Sequence, residues 1–194
     1  MRIYIIGFII AVALIAFKAL YLDSSHIASK TDSSNVFHLD GNVTASFDMK
    51  DTDGNSFSVL QYNDQFIADG YDNNVVIFNF FGTFCPSCRA EIPMLTDLKN
   101  RYGDKVKIIG VSVDDDLSTE QLKEFKNETG AEFSMSIGTD RLRSLMCATL
   151  PEGSCHGIPL TVVYSKGKLQ IFKEGSGSDL SYIENIIASV EQTK

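Results

Sequence analysis

The chain has 194 residues, 44% of them hydrophobic, and carries 17 Lys and Arg against 25 Asp and Glu, a net charge of −8 with an isoelectric point near 4.8. That length suits one domain with a proper core plus appendages and is short for two. The acidic balance, with no basic patch, argues against a nucleic-acid partner.

Residues 3–22 form an apolar segment interrupted by Lys18 and preceded by Arg2. As a helix, twenty residues span about 30 Å, one hydrocarbon core, and Lys18 could snorkel to the far headgroups. The alternative is a cleaved signal peptide, whose apolar region is normally about 7–15 residues. The run from Ile3 to Phe17 reaches the top of that range, and His26-Ile27-Ala28-Ser29 is a poor cleavage site. No cysteine is placed for a lipid anchor. The expectation is an uncleaved single-pass anchor in a bacterial cell membrane, with its positive N-terminus inside. Either reading sends the rest of the chain to an extracytoplasmic compartment where disulfides form. Residues 23–42 are polar and without periodicity, a tether reaching roughly 20–25 Å, with His26 and His38 as solvated linker residues.

The folded domain is expected over residues 43–194. Residues 47–50 and 56–60 alternate around Asp53-Gly54-Asn55, a hairpin signal, and an Asp- and Asn-rich loop follows over 62–74. Val75 to Phe81, apolar except for Asn79, predicts a central strand covered on both faces. Gly82 and Thr83 end it. Pro86 suits a first helical position, so Cys85 stands at a helix N-terminus, with Cys88 one turn later on the same side. Pro93 should kink this helix while Met94, Leu95 and Leu98 face the sheet. A second buried strand is expected over 106–113, closed by Asp114-Asp115-Asp116 as a solvated acidic turn rather than a metal site. Ser118 and Gln121 have capping-box spacing and open a helix that ends at Gly130. A short strand over 133–137 and a short helix over 140–146 follow, then a loop from Cys147 to His156. Gly157-Ile158-Pro159 leads into a strand over 160–164, which turns at 166–168 into another over 169–172. The last helix follows Asp179, with Leu180, Ile183, Ile186, Ile187 and Val190 on one face.

The chemistry concentrates at Cys85-Pro86-Ser87-Cys88. Unpaired N–H groups and the positive end of the helix dipole stabilise a thiolate at a helix N-terminus. A resolving thiol one turn away completes what dithiol–disulfide exchange needs. The competing reading, half a zinc site, wants a second ligand pair at matching spacing, and Cys147 and Cys155 are too far apart for one. A buried strand running straight into the motif favours redox chemistry.

This element order, with Phe80 to Pro93 and Gly157-Ile158-Pro159, resembles a thioredoxin fold: α/β, a central mixed sheet flanked by helices, with an N-terminal β-hairpin extension. It resembles specifically the membrane-tethered ResA/TlpA-type thiol–disulfide oxidoreductases, from about Val43 onward. The resemblance implies that Pro159 is cis and packs on the active-site disulfide. It also implies that groups around Pro159, with Phe84, Pro86 and Ile158, hold a substrate protein, and that no cofactor is needed. Two departures stand out: Phe84 replaces the family's tryptophan, and Leu160 stands where a threonine is common. Phe84 is expected to shield Cys85 from water in the tryptophan's place. Asn79 occupies the position of a buried Asp in many thioredoxins, leaving Glu91, one turn after Cys88, as the candidate proton acceptor. The resemblance supports that assignment and suggests reduction of apocytochrome c cysteines, with electrons from a membrane thiol transporter. Cys147 and Cys155 are expected to form a structural disulfide, the alternative being a redox relay. A disulfide oxidase or isomerase would use the same residues. A copper carrier would want soft ligands such as Cys85, Cys88 and His156, and a peroxidase would need Thr at the position of Gly82.

Overall fold

A computed structural model describes residues 42–71, 75–152, 154–175, 177 and 179–191, all within one compact unit, Phe37–Lys194. The apolar segment 3–22 and the tether up to residue 41 lie outside the described residues, among which no helix is long and apolar enough to cross a membrane.

Strands β1 (Ala45–Lys50), β2 (Ser56–Tyr62) and β3 (Gln65–Ala68) form an antiparallel sheet in that order. Strands β4 (Val75–Phe81), β5 (Val106–Ser112), β6 (Ser134–Ile137), β7 (Leu160–Ser165) and β8 (Lys168–Glu174) form a mixed sheet, ordered β6-β5-β4-β7-β8. β4 and β5, and β5 and β6, pair in parallel; β7 runs antiparallel to both β4 and β8. The helices are α1 (Pro86–Tyr102), α2 (Thr119–Thr129), α3 (Asp140–Ala148) and α4 (Ser181–Glu191).

β4 is buried along its whole length, and its alternation feeds two separate cores. Val75, Ile77 and Phe81 pack with Ile92, Leu95 and Leu98 of α1, Leu122 and Phe125 of α2, and Ile183 and Ile187 of α4. Val76, Phe78 and Phe80 face the other way, toward Phe47, Val59 and Phe66 of the small sheet and Leu142 and Met146 of α3. Each fully buried side chain of this size contributes about 1.5–3 kcal/mol through area removed from water. Asn79 falls on the first of these faces, the one covered by α1 and α4.

The local signals act as the sequence indicates. Ser118 Oγ accepts from Gln121 N and Gln121 Oε1 from Ser118 N, closing the capping box, and Gly130 ends α2 at φ 66°. Pro93, where the sequence predicts a kink, does not interrupt α1, which runs from Pro86 to Tyr102 with Leu95 and Leu98 buried. Three expectations need correction. The Asp- and Asn-rich stretch after Tyr62 is not one loop: Tyr62 pairs with Gln65 across a two-residue turn at Asn63-Asp64, where Asn63 has φ 56°, and β3 follows. Asn and Asp tolerate that left-handed backbone, so they mark a hairpin here. The extension is therefore a three-stranded sheet rather than one hairpin. It joins β6 through Thr52 N to Met135 O at 3.0 Å and Ser136 Oγ to Lys50 O at 2.9 Å. Finally, α3 runs on to Ala148, which puts Cys147 in a helix and not in a loop.

Candidate active site

The carboxyl end of β4 passes through Gly82–Phe84 into α1, and Cys85 is the residue that caps this helix, with extended backbone (φ −90°, ψ 111°). Its Sγ accepts the Cys88 N–H at 3.2 Å and lies 3.2 Å from Ser87 Oγ. These groups, and the helix dipole, point at the sulfur that would carry negative charge once reduced. Cys85 and Cys88 are joined as a disulfide across a Cα–Cα distance of 5.3 Å. Cys85 is 7% exposed and Cys88 1%, so an incoming group meets Cys85 first.

The turn before Cys85 is tied at both backbone groups of Thr83. Its N–H donates to Asp114 Oδ2 at 3.0 Å, and its carbonyl accepts from Arg89 Nε at 3.1 Å. Asp114 also accepts from Ser112 Oγ at 2.8 Å, so it is a brace for the cysteine loop instead of a solvated strand end. Arg89 lies 4.6 Å from the Phe125 ring centroid and pairs with Glu128 at 3.2 Å, fastening the same turn to α2. Neither role was legible in the sequence, because each depends on contacts between separate elements.

The Ile158–Pro159 peptide bond is cis, Pro159 is buried, and the Ile158 carbonyl oxygen lies 4.0 Å from Cys85 Sγ. The loop is pinned on its far side by Gly157 N–H donating to Glu174 Oε1 and Gly175 N–H to Pro159 O at 2.8 Å. Phe84 is 74% exposed. Its ring lies over Gly82, where a Cβ would stand 2.7 Å from Phe84 Cε1 and 3.0 Å from Ile158 Cδ1. Phe84, exposed Pro86 and half-buried Ile158 thus present apolar surface beside the disulfide. The ring itself faces largely outward, open to a partner.

Glu91 is sealed behind the disulfide at 2% exposure. Asn79 Nδ2 donates to its Oε2 at 2.9 Å and Thr161 Oγ1 to its Oε1 at 3.3 Å; Asn79 Nδ2 also donates to Thr161 Oγ1 at 3.0 Å. Burial pushes the Glu91 carboxyl above its usual range; the bonds from Asn79 and Thr161 and the charge of Lys173 pull it down without cancelling the burial. Asn79 therefore orients an acid instead of being one. Thr161, adjacent to the Leu160 that replaces the family's threonine, escaped the sequence reading; a polar residue at the start of an otherwise apolar strand was its only signal.

Cys147, in the last turn of α3, and Cys155, ahead of the proline loop, form a second disulfide with Cα atoms 5.8 Å apart. Both are half-buried and pack against the core under α3. Closing so short a loop stabilises by about 2.5 kcal/mol in the chain-entropy account. Replacing both cysteines by serine is expected to lower Tm by about 5–10 °C in a thermal melt while disulfide exchange at Cys85 continues at the native rate; lost turnover at an unchanged Tm would make the pair a relay. Among the described residues no three His, Cys, Asp or Glu side chains converge as metal ligands.

Several known proteins are similar. The ResA thiol–disulfide oxidoreductase of Bacillus anthracis is 36% identical over 64 residues, 32% of this chain and 35% of that protein. Thioredoxin of Bacillus subtilis is 29% identical over 62 residues, 32% of this chain and 60% of that protein. The chain thus matches about a third of the length of its ResA relatives. Among solved structures, a thioredoxin-family thiol:disulfide interchange protein of Chlorobium tepidum superposes with TM-score 0.59 at 19% identity, covering 79% of this chain and 98% of that one. StoA of Bacillus subtilis superposes with TM-score 0.51 at 21% identity, covering 75% and 96%. At such identities these superpositions speak for the thioredoxin-like fold. Residues 41–170, which carry the Cys85 loop, Glu91 and the proline loop, match the AhpC/TSA family, and the chain belongs to it.

Proposed function

We propose that this protein is an extracytoplasmic thiol–disulfide oxidoreductase, tethered to the bacterial membrane by residues 3–22, that reduces disulfides in substrate proteins such as apocytochrome c. The observation that carries the reading is Cys85 capping α1: its sulfur is bonded to Cys88, receives the Cys88 N–H and stands beside the cis-proline loop. The ResA names of the partial relatives support the same chemistry.

In the reduced protein the Cys85 thiolate attacks one sulfur of a substrate disulfide, and the other substrate sulfur leaves as thiolate. Cys88 then passes its proton to Glu91 and attacks the Cys85 sulfur, which releases the second substrate thiolate. The substrate disulfide gains two electrons and is reduced to two thiols, and the protein gives up those two electrons as Cys85 and Cys88 are oxidised to their disulfide. A dithiol donor, for which a membrane thiol transporter is the proposed source, then reduces the Cys85–Cys88 disulfide by the same two-step exchange and is itself oxidised to a disulfide. Phe84, Pro86 and Ile158 offer the apolar surface for the polypeptide around the target disulfide, and backbone groups next to Pro159, such as the Ile158 carbonyl beside Cys85, offer hydrogen bonds to its strand.

The direction of electron flow rests on potential. Equilibration of Cys85–Cys88 with glutathione is expected to give about −250 mV or lower, as reductants of this fold do; about −120 mV would make the protein an oxidase.

A further inference from the structure

Three polar side chains form a row across three adjacent strands. Asn79 of β4 is the register partner of Thr161 in β7, and Thr161 is the partner of Lys173 in β8. Directly paired residues present their side chains on one face of a sheet, so amide, hydroxyl and ammonium share the face covered by α1 and α4. Asn79 and Thr161 are sealed from solvent, and Lys173 is half-buried on the outer strand. Glu91 of α1 closes the row at its inner end through bonds to Asn79 and Thr161.

Tyr182 of α4 stands at the outer end. Lys173 Nζ lies 5.4 Å from its ring centroid, and its buried hydroxyl has no hydrogen-bond partner among the described residues. The backbone of Gly177, between β8 and α4, lies against the same ammonium: a Cβ there would overlap Lys173 Nζ and stand 2.5 Å from its Cε. An aromatic face and a bare backbone thus confine the lysine over the sheet.

We propose that Lys173 is a positioning residue for the resolving step: from the outer end of this row it keeps Glu91 in the ionised form that accepts the Cys88 proton. The inference rests on Glu91 being that acceptor. A carboxylate so deeply buried tends to bind its own proton and lose its use as a base. Asn79 and Thr161 are neutral donors and supply no charge. Lys173 supplies one, and its field is felt at Glu91. The other groups facing the row are Tyr182, whose phenol is pushed up by burial and further by Glu91, and Asp179, which shares the Lys173 charge from the segment before α4. Glu174, next to Lys173, is committed to the Gly157 N–H.

The test is the pH dependence of resolution in the reduced protein, with 5,5′-dithiobis(2-nitrobenzoate) as the probe. Its first thionitrobenzoate reports attack by Cys85 and its second reports resolution by Cys88. Lys173→Met is expected to slow the second release about threefold on the acid limb and to displace that limb toward higher pH. Lys173→Arg should restore it. In a Glu91→Gln background Lys173→Met should change nothing further. Coincident acid limbs for Lys173→Met and the unaltered protein, or a shift that persists without Glu91, would overturn the proposal. An acid limb unchanged in Glu91→Gln itself would remove the reading beneath it.

Discussion

Reduced Cys88→Ser protein, mixed with a disulfide-bearing substrate, is expected to attack once and stop. Cys85, at the helix N-terminus and the less buried of the pair, still receives the Cys88 backbone N–H, because that donor does not depend on the side chain at position 88. The mixed disulfide therefore forms but is not resolved from within. It should accumulate as a one-to-one adduct visible by mass spectrometry under non-reducing conditions. Cys85→Ser should form no adduct, and turnover of either variant should fall by about 10³-fold or more, as loss of a nucleophile does elsewhere. Adducts on Cys85→Ser and none on Cys88→Ser would reverse the two roles.

Glu91→Gln should keep the fold and slow the chemistry. Glutamine is nearly the same size, and its carbonyl can still accept from Asn79 Nδ2, so the packing behind the disulfide survives. What goes is the ability to take a proton, for which general-base magnitudes give a loss of about 10²-fold in resolution at neutral pH. The acid limb assigned to Glu91 should vanish from the profile. Stability moves the opposite way. Because burial raises the Glu91 carboxyl, the native state holds this proton more tightly than the unfolded chain does. That contribution is fully present below the usual carboxylate range and is lost as pH rises through the raised native value. The Tm of Glu91→Gln, measured against the unaltered protein, should therefore gain ground with increasing pH and match it most closely in acid. Equal resolution rates with parallel melts across pH would leave Glu91 a spectator.

Part of this chemistry is legible in the sequence. The all-apolar run of β4, the first-turn proline after Cys85 and the Ser118 capping box are signals within a few residues, and each folds as its local chemistry dictates. The Asn63-Asp64 turn shows how such signals mislead. Its polar composition is plain, but whether a polar stretch is a loop or a tight hairpin depends on having a strand to pair with.

By itself, then, the sequence determined where the cysteines stand on their helix, that Glu91 lies one turn beyond them, and the alternation that sends successive β4 residues into two cores. These follow from helix and strand periods, which are properties of neighbouring residues. Only the tertiary structure decided what surrounds them. Thr161 reaches Glu91 across 70 positions of chain, Asn79 reaches Thr161 across 82, and Asp114 braces Thr83 across 31. Contacts over such separations are set by strand order and register, which the cores on both faces of the sheet fix together, and no local pattern records them.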